Sequence, residues 1–114
     1  MLVAKYRLKR RTDFQKIYRY GHYFFTPFLV LRTLPNKEGN PRFAEVISAK
    51  VAPKAVTRNR FKRQLSEIIR HHLGNFAPGL DYVFAAKKPV FGLAYGGLEK
   101  NLISLIKKAK LWRD

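Results

Sequence analysis

The 114-residue chain contains no cysteine and only seven acidic residues. Without thiols there is no disulfide framework and no thiolate metal site, and a reducing compartment is compatible with the composition. The acids, Asp13, Glu38, Glu45, Glu67, Asp81, Glu99 and Asp114, are scattered along the chain. Two-metal phosphodiester cleavage needs clustered carboxylates or equivalent ligands, and a few acids among many cations repel a divalent ion. No HExxH, Walker or Ser/His/Asp pattern stands out. His71 and His72 are adjacent, so on a helix they point about 100° apart and do not converge on one ion. No catalytic and no metal-binding residue is therefore assigned to the polypeptide. A long apolar run is also missing. The most apolar region, 23–34, is short and interrupted by Thr26, Pro27 and Arg32, so it does not span a bilayer. Residues 1–5 lack the apolar stretch of a signal peptide. No repeat, low-complexity tract or dividing linker is present. The expectation is one cytoplasmic domain over 1–114, without a membrane partner, carrying a basic N-terminal arm over 1–11.

What is abundant is positive charge. Lys and Arg number 24, for a formal net charge of +17, while 46% of residues are hydrophobic. A chain of this length buries roughly 65% of its unfolded surface, so the composition is that of a basic globule, unlike a disordered basic tail. Such an excess of one sign repels itself and calls for a polyanion. The densest stretch is Arg58-Asn59-Arg60-Phe61-Lys62-Arg63, at the start of a long amphipathic segment. Arginine presents a planar fork of donors that matches phosphate oxygens and stacks on bases. A nucleic-acid backbone satisfies this group best, and solvated surface charge is the plain alternative.

Local patterns give the elements. Thr12-Asp13-Phe14-Gln15 matches a capping box, Phe14, Ile17 and Tyr18 share a helical face, and Gly21 suits a left-handed stop. His22 to Leu34 reads as strand, with Pro27 marking an edge, a bulge or a break. Residues 35–41 form a loop, and Phe43 to Ala49 a second strand, predicted antiparallel to the first because the connection is short. Pro53 fits the first turn of a long helix, with Thr57 as a later cap, ending at Gly74. Phe61, Ile68, Ile69 and His72 lie within about 60° of Leu65, forming its buried stripe. Arg60, Arg63 and Arg70 face the other way with Asn59 beside them. Glu67 is placed to pair with Arg63 at i, i+4, while Arg58 points to the Leu65 side beside the sheet edge. Tyr82 to Ala86 is a last strand, and Tyr95 to Lys110 a helix with Leu98, Leu102, Leu105, Ile106 and Ala109 inward. Tyr23-Phe24-Phe25 with Phe28 must divide between two strand faces. The order predicts an α+β fold with helices on a small sheet.

Three strings, Phe14-Gln15-Lys16-Ile17-Tyr18, Ala55-Val56-Thr57-Arg58-Asn59-Arg60-Phe61-Lys62-Arg63 and Ala86-Lys87-Lys88-Pro89, resemble the protein subunits of bacterial ribonuclease P. The resemblance runs from about Leu8 to Leu111. It implies an αβββαβα two-layer sandwich like the second domain of ribosomal protein S5, with a left-handed crossover through the central helix, against the usual hand. It implies a catalytic RNA partner that removes the 5′ leader of precursor tRNA, with Mg2+ bound mainly by that RNA. By position it makes Arg58, Asn59, Arg60, Lys62 and Arg63, with Lys50 and Lys54 before them, the RNA-binding group. Phe14, Tyr18 and Arg32 become the leader-binding cleft. Phe14 and Tyr18 by themselves would read as core. The sequence departs from the family at two places: Arg32 stands where an aromatic residue is common, and Lys50-Val51-Ala52-Pro53 replaces a stretch with two lysines and a glycine.

The expected function is thus that of a ribonuclease P protein subunit, with the bond-breaking machinery on RNA. The alternative is a ribosomal or ribosome-assembly RNA-binding protein, which needs no cleft for a single strand. A protein-only nuclease and a duplex-DNA reader are the remaining rivals.

Overall fold

Pro27 breaks the aromatic run into two strands. The computed structural model, which describes residues 2–114, has β1 at His22–Phe25 and β2 at Leu29–Pro35. Thr26 closes the break: its backbone N–H donates to the Leu29 carbonyl at 2.9 Å, and its hydroxyl oxygen accepts from the Phe28 and Leu29 N–H groups, both at 3.1 Å. The remaining elements are α1 (Arg11–Tyr20), β3 (Arg42–Val46), α2 (Ala55–His71), β4 (Leu80–Ala86) and α3 (Tyr95–Lys108), so the predicted α+β order holds.

The four strands lie in the order β1-β2-β4-β3. β2 pairs antiparallel with β1 and β4, whereas β3 pairs parallel with β4. β3 thus runs antiparallel to β2, as the short connection predicted, but β4 is inserted between them. Buried Asp81, at the start of β4, holds both ends of the connecting loop. It accepts from Asn36 Nδ2 at 2.8 Å and from Arg42 Nε and Nη2, each at 2.8 Å. The loop therefore bridges the end of β4 instead of folding into a hairpin.

One sheet face carries the main core. Leu29, Leu31, Phe43, Tyr82 and Phe84 meet Phe61, Leu65, Ile68 and Ile69 of α2 and Leu98, Leu102, Leu105 and Ile106 of α3. Phe24 and Phe28 pack against the same core. On the opposite face a smaller cluster joins Ile17 of α1 with Leu8, Ala44 and Val83, flanked by Phe14, Leu34 and Val46. α1 covers only part of that face. Tyr23 and Phe25 remain about half exposed on it, so the aromatic run divides as its alternation requires.

Several boundaries differ from the pattern. α1 starts at Arg11 with Arg10 as N-cap and no side-chain cap, so the Thr12 capping box does not form. Gly21 is extended (φ −72°, ψ 159°), not left-handed. Glycine is needed there for close approach, because a Cβ would press on the Ile17 carbonyl oxygen and lie 2.9 Å from that of Thr33. β3 stops at Val46 because the chain turns at Ser48, whose carbonyl accepts from Val51 and Ala52 N–H at 3.1 and 3.0 Å. α2 begins after an N-cap at Lys54, which leaves Pro53 outside its first turn. It ends at His71, ahead of a short 3-10 turn at Leu73–Asn75 that contains Gly74. α3 likewise ends at Lys108.

Candidate nucleic-acid interface

Consecutive helical residues point about 100° apart, and α2 uses this to send Arg58, Asn59 and Arg60 to three places. Arg58 turns back on its own loop, where Nη1 donates to the Ala52 and Pro53 carbonyls at 2.8 Å each. It organises the entry to the helix instead of reaching past the sheet edge. Asn59 lines a cleft of about 520 Å3 between α2, β3, α1 and the N-terminal segment. Arg60 lines a separate groove between α2 and α3.

The cleft gathers Asn59, Lys62 and Arg63 of α2 opposite Phe14 of α1. Arg7 and Lys9 add two cations that sequence reasoning left out. They reach the cleft because the basic arm is docked: Leu8 is buried and its N–H donates to the Phe43 carbonyl at 2.9 Å, so the arm runs along the β3 edge. Alternation of Arg7 and Lys9 around buried Leu8 was the available signal. The predicted Arg63–Glu67 pair does not form. Glu67 is taken by Arg70 at 2.6 Å and His71 at 3.2 Å, and Arg63 has no ion-pair partner among the described residues. The cleft's carboxylate is Glu45, which accepts a hydrogen bond from the Ser66 hydroxyl. Burial pushes the Glu45 carboxyl above its ordinary range, while Ser66, Lys62 and Arg7 pull it down.

Tyr18 and Arg32 do not line that cleft. They form a stack further along the same sheet face. The Arg32 guanidinium carbon lies 4.7 Å from the Tyr18 ring centre and 5.3 Å from that of Tyr23, its cross-strand partner. Tyr23 in turn lies 5.6 Å from Phe25, with the Lys87 ammonium 4.7 Å from the Phe25 ring centre. Tyr18, Tyr23 and Phe25 are each about half exposed, at 48%, 52% and 49%. Aromatic faces interleaved with cations are the surface on which unpaired bases stack. Tyr23 was missed as a site residue, although alternation along β1 would have put it on the Arg32 face. Lys50 and Lys54 are exposed in and after the Ser48 turn and line neither the cleft nor the stack.

Three other acids serve the fold. Asp81 and Asp13 hold Arg42, at 2.8 and 3.5 Å, and the Glu99 carboxylate accepts from His72 Nε2 at 2.9 Å, linking α3 to α2. His71 is exposed and His72 half-buried. Among the described residues no three His, Asp or Glu side chains gather where they could hold a metal ion. No helix among them is long and apolar enough to cross a membrane.

A protein-family model described as Ribonuclease P matches residues 2–110. The chain belongs to the ribonuclease P protein family. It is similar to the ribonuclease P protein component of Streptococcus pneumoniae (strain CGSP14), with 35% identity over 113 residues covering 99% of this chain and 91% of that one. Its fold is similar to the solved RNase P protein of Staphylococcus aureus, with a TM-score of 0.86 and 30% identity, covering 95% of this chain and 98% of that one. For the RNase P protein from Thermotoga maritima the TM-score is 0.82 at 27% identity, covering 90% and 96%. As a member of this family the chain is a subunit of the tRNA-processing ribonuclease P, and RNA is its class of partner. The ribosomal-protein alternative is set aside.

Proposed function

We propose that the protein docks on the catalytic RNA of ribonuclease P and holds the 5′ leader of precursor tRNA as an extended single strand. The carrying observation is that Phe14 of α1 faces Asn59, Lys62 and Arg63 of α2 across one cleft, so an aromatic wall opposes a cationic one. A single strand offers both matching surfaces: bases that stack, and phosphates that attract cations. The Tyr18–Arg32–Tyr23 stack, one helical turn beyond Phe14, extends this surface for further nucleotides. Arg58, Arg60, Lys50 and Lys54, outside the cleft, are left to grip the folded RNA through phosphates and shape.

Bond cleavage belongs to the RNA, with Mg2+ bound mainly there. The protein's cations lower phosphate repulsion where RNA and substrate approach, which favours occupancy of those Mg2+ sites. Leader contacts exist only with precursor tRNA, so they strengthen substrate binding over product and let mature tRNA leave. The reaction is cytoplasmic, where precursor tRNA is matured.

Reconstitution tests this. RNA alone, protein alone and both together are assayed on precursor tRNA at physiological Mg2+, and binding of precursor and mature tRNA is measured with and without protein. Added protein should speed 5′ processing and raise the preference for precursor. Equal preference with and without protein would overturn the leader-binding role.

A further inference from the structure

We propose that the groove between α2 and α3 is a pocket for one unstacked nucleotide of the RNA partner, its base against Phe91 and its phosphate on Arg60. This rests on the reading that the chain docks on RNA and assigns a second contact, on the flank of α2 away from the leader cleft.

The groove has a built apolar floor. Phe61, Val90 and Leu98 are buried at 3%, 4% and 3% exposure. Above them Phe91 is 43% and Tyr95 38% exposed, and the Phe91 ring meets Phe61 edge-on at 6.5 Å. Large apolar side chains are thus left open on a protein of net charge +17. The space is about 260 Å3, below the roughly 300–1,000 Å3 of pockets for drug-sized ligands, which suits a single planar base better than a cofactor.

Charge decides the occupant. No carboxylate lines the groove, and Arg60 stands on its rim with no ion-pair partner among the described residues. Gln64, also on the rim, has no side-chain hydrogen bond among the described residues and offers an amide to a base edge. The first turn of α2, through Val56 and Thr57, and the start of α3, through Ala94 and Tyr95, border the groove. Neither helix has a side-chain cap, so their N–H groups add positive potential to that of Arg60. An apolar cleft bordered by Arg60 and two helix N-termini fits a nucleotide, with the carboxylates of Glu67 and Glu99 outside its lining but near enough to act on the Tyr95 hydroxyl. A second copy of this chain would bring +17 against +17.

The test uses the full chain and its cognate ribonuclease P RNA, with affinity measured across a salt series. Phe91→Ala and Tyr95→Ala should each weaken binding about tenfold with the salt slope unchanged, the effect of losing a stacked base. Phe91→Leu should lose nearly as much, because it keeps the bulk but has no ring face. Arg60→Ala should weaken binding and reduce the slope by about one. RNA carrying photoreactive thiouridine should crosslink to the peptide holding Phe91. If the parent binds RNA and speeds cleavage while both Phe91 variants match it in affinity, the pocket is refuted and the docking reading stands. If the parent does neither, both fall. A Phe91→Ala effect seen only in sedimentation, with RNA affinity unchanged, would name a second copy as occupant and overturn the proposal.

Discussion

Arg58 Nη1 donates to the Ala52 carbonyl oxygen at 2.8 Å, and to that of Pro53 at the same distance, fastening the loop before α2 to the first turn of the helix. Arg58 is therefore a structural residue as well as a member of the basic cluster, and its neighbours differ from it in this respect.

That difference is measurable. Arg58→Ala leaves two loop carbonyls without their charged donor and should cost about 1.5–3 kcal/mol in urea unfolding of the free protein. Arg60→Ala and Arg63→Ala, at exposed positions without ion pairs among the described residues, should leave free-protein stability nearly unchanged while lowering RNA affinity. An Arg58→Ala protein as stable as the parent would show that the loop does not depend on this contact.

The buried carboxylate of Asp81 makes a sharper stability prediction. Its hydrogen bonds hold the Arg42 guanidinium ionised more firmly than usual, and burial opposes this only in part. The pair is largely buried, with side-chain exposures of 17% and 5%. Asp81→Ala leaves Arg42 and Asn36 without their shared acceptor at the point where the loop crosses β4, and should cost about 3 kcal/mol. Thermal unfolding of Asp81→Ala alongside Arg42→Met/Asp81→Leu checks it: the double variant should recover part of the loss, because no charge is then stranded.

Glu45 predicts a pH dependence of opposite sign to the usual carboxylate. Its carboxyl lies above the ordinary value of 4.5, chiefly through burial. The folded protein thus holds this proton more tightly than the unfolded chain, and stability falls as pH rises from the ordinary range through the raised value. Glu45→Gln keeps an oxygen to accept from Ser66 and removes the ionisation. Its stability relative to the parent should improve across that window and then level off. A difference that is flat in pH would mean that the partly buried carboxylate is not penalised.

Two glycines separate close packing from propensity. Gly21→Ala would force a methyl group onto the Ile17 and Thr33 carbonyls, and overpacking of this kind costs about 1–3 kcal/mol. It should also loosen α1, which carries Phe14 and Tyr18. At Gly96, in the first turn of α3, an added Cβ meets nothing within 4 Å, so Gly96→Ala should be neutral or stabilise by up to about 1 kcal/mol. Unfolding midpoints of both variants decide the matter.

The α2 stripe was legible in the sequence because Phe61, Leu65, Ile68 and Ile69 repeat with the helical period, and all four are buried. The break at Pro27 was legible because proline cannot donate to a ladder. The position of β4 between β2 and β3 was not, since it depends on Asp81 bonding residues 39 and 45 positions away, which no local pattern encodes. At the site, density of charge pointed to Lys62 and Arg63, but not to the different directions of Arg58, Asn59 and Arg60. Phe14 and Tyr18 share a helical face yet meet different surroundings one turn apart, one in the cleft and one under Arg32.

Arg32 supports the last prediction. Its guanidinium lies within 4.7 Å and 5.3 Å of the Tyr18 and Tyr23 ring centres, contacts worth about 0.5–2 kcal/mol each. They hold a planar cation at the middle of the exposed aromatic row. The cation can take a leader phosphate or lie flat against a base, and substitution separates these roles. Arg32→Ala should reduce the preference for precursor over mature tRNA about tenfold, the scale of one stacked base. Arg32→Tyr should restore stacking but not charge: preference returns at high salt, and the salt dependence of precursor binding becomes shallower by about one ion. If Arg32→Ala discriminates precursor from mature tRNA as well as the parent does, the stack of Tyr18, Arg32 and Tyr23 serves the fold alone, and the leader is held by the α1–α2 cleft without it.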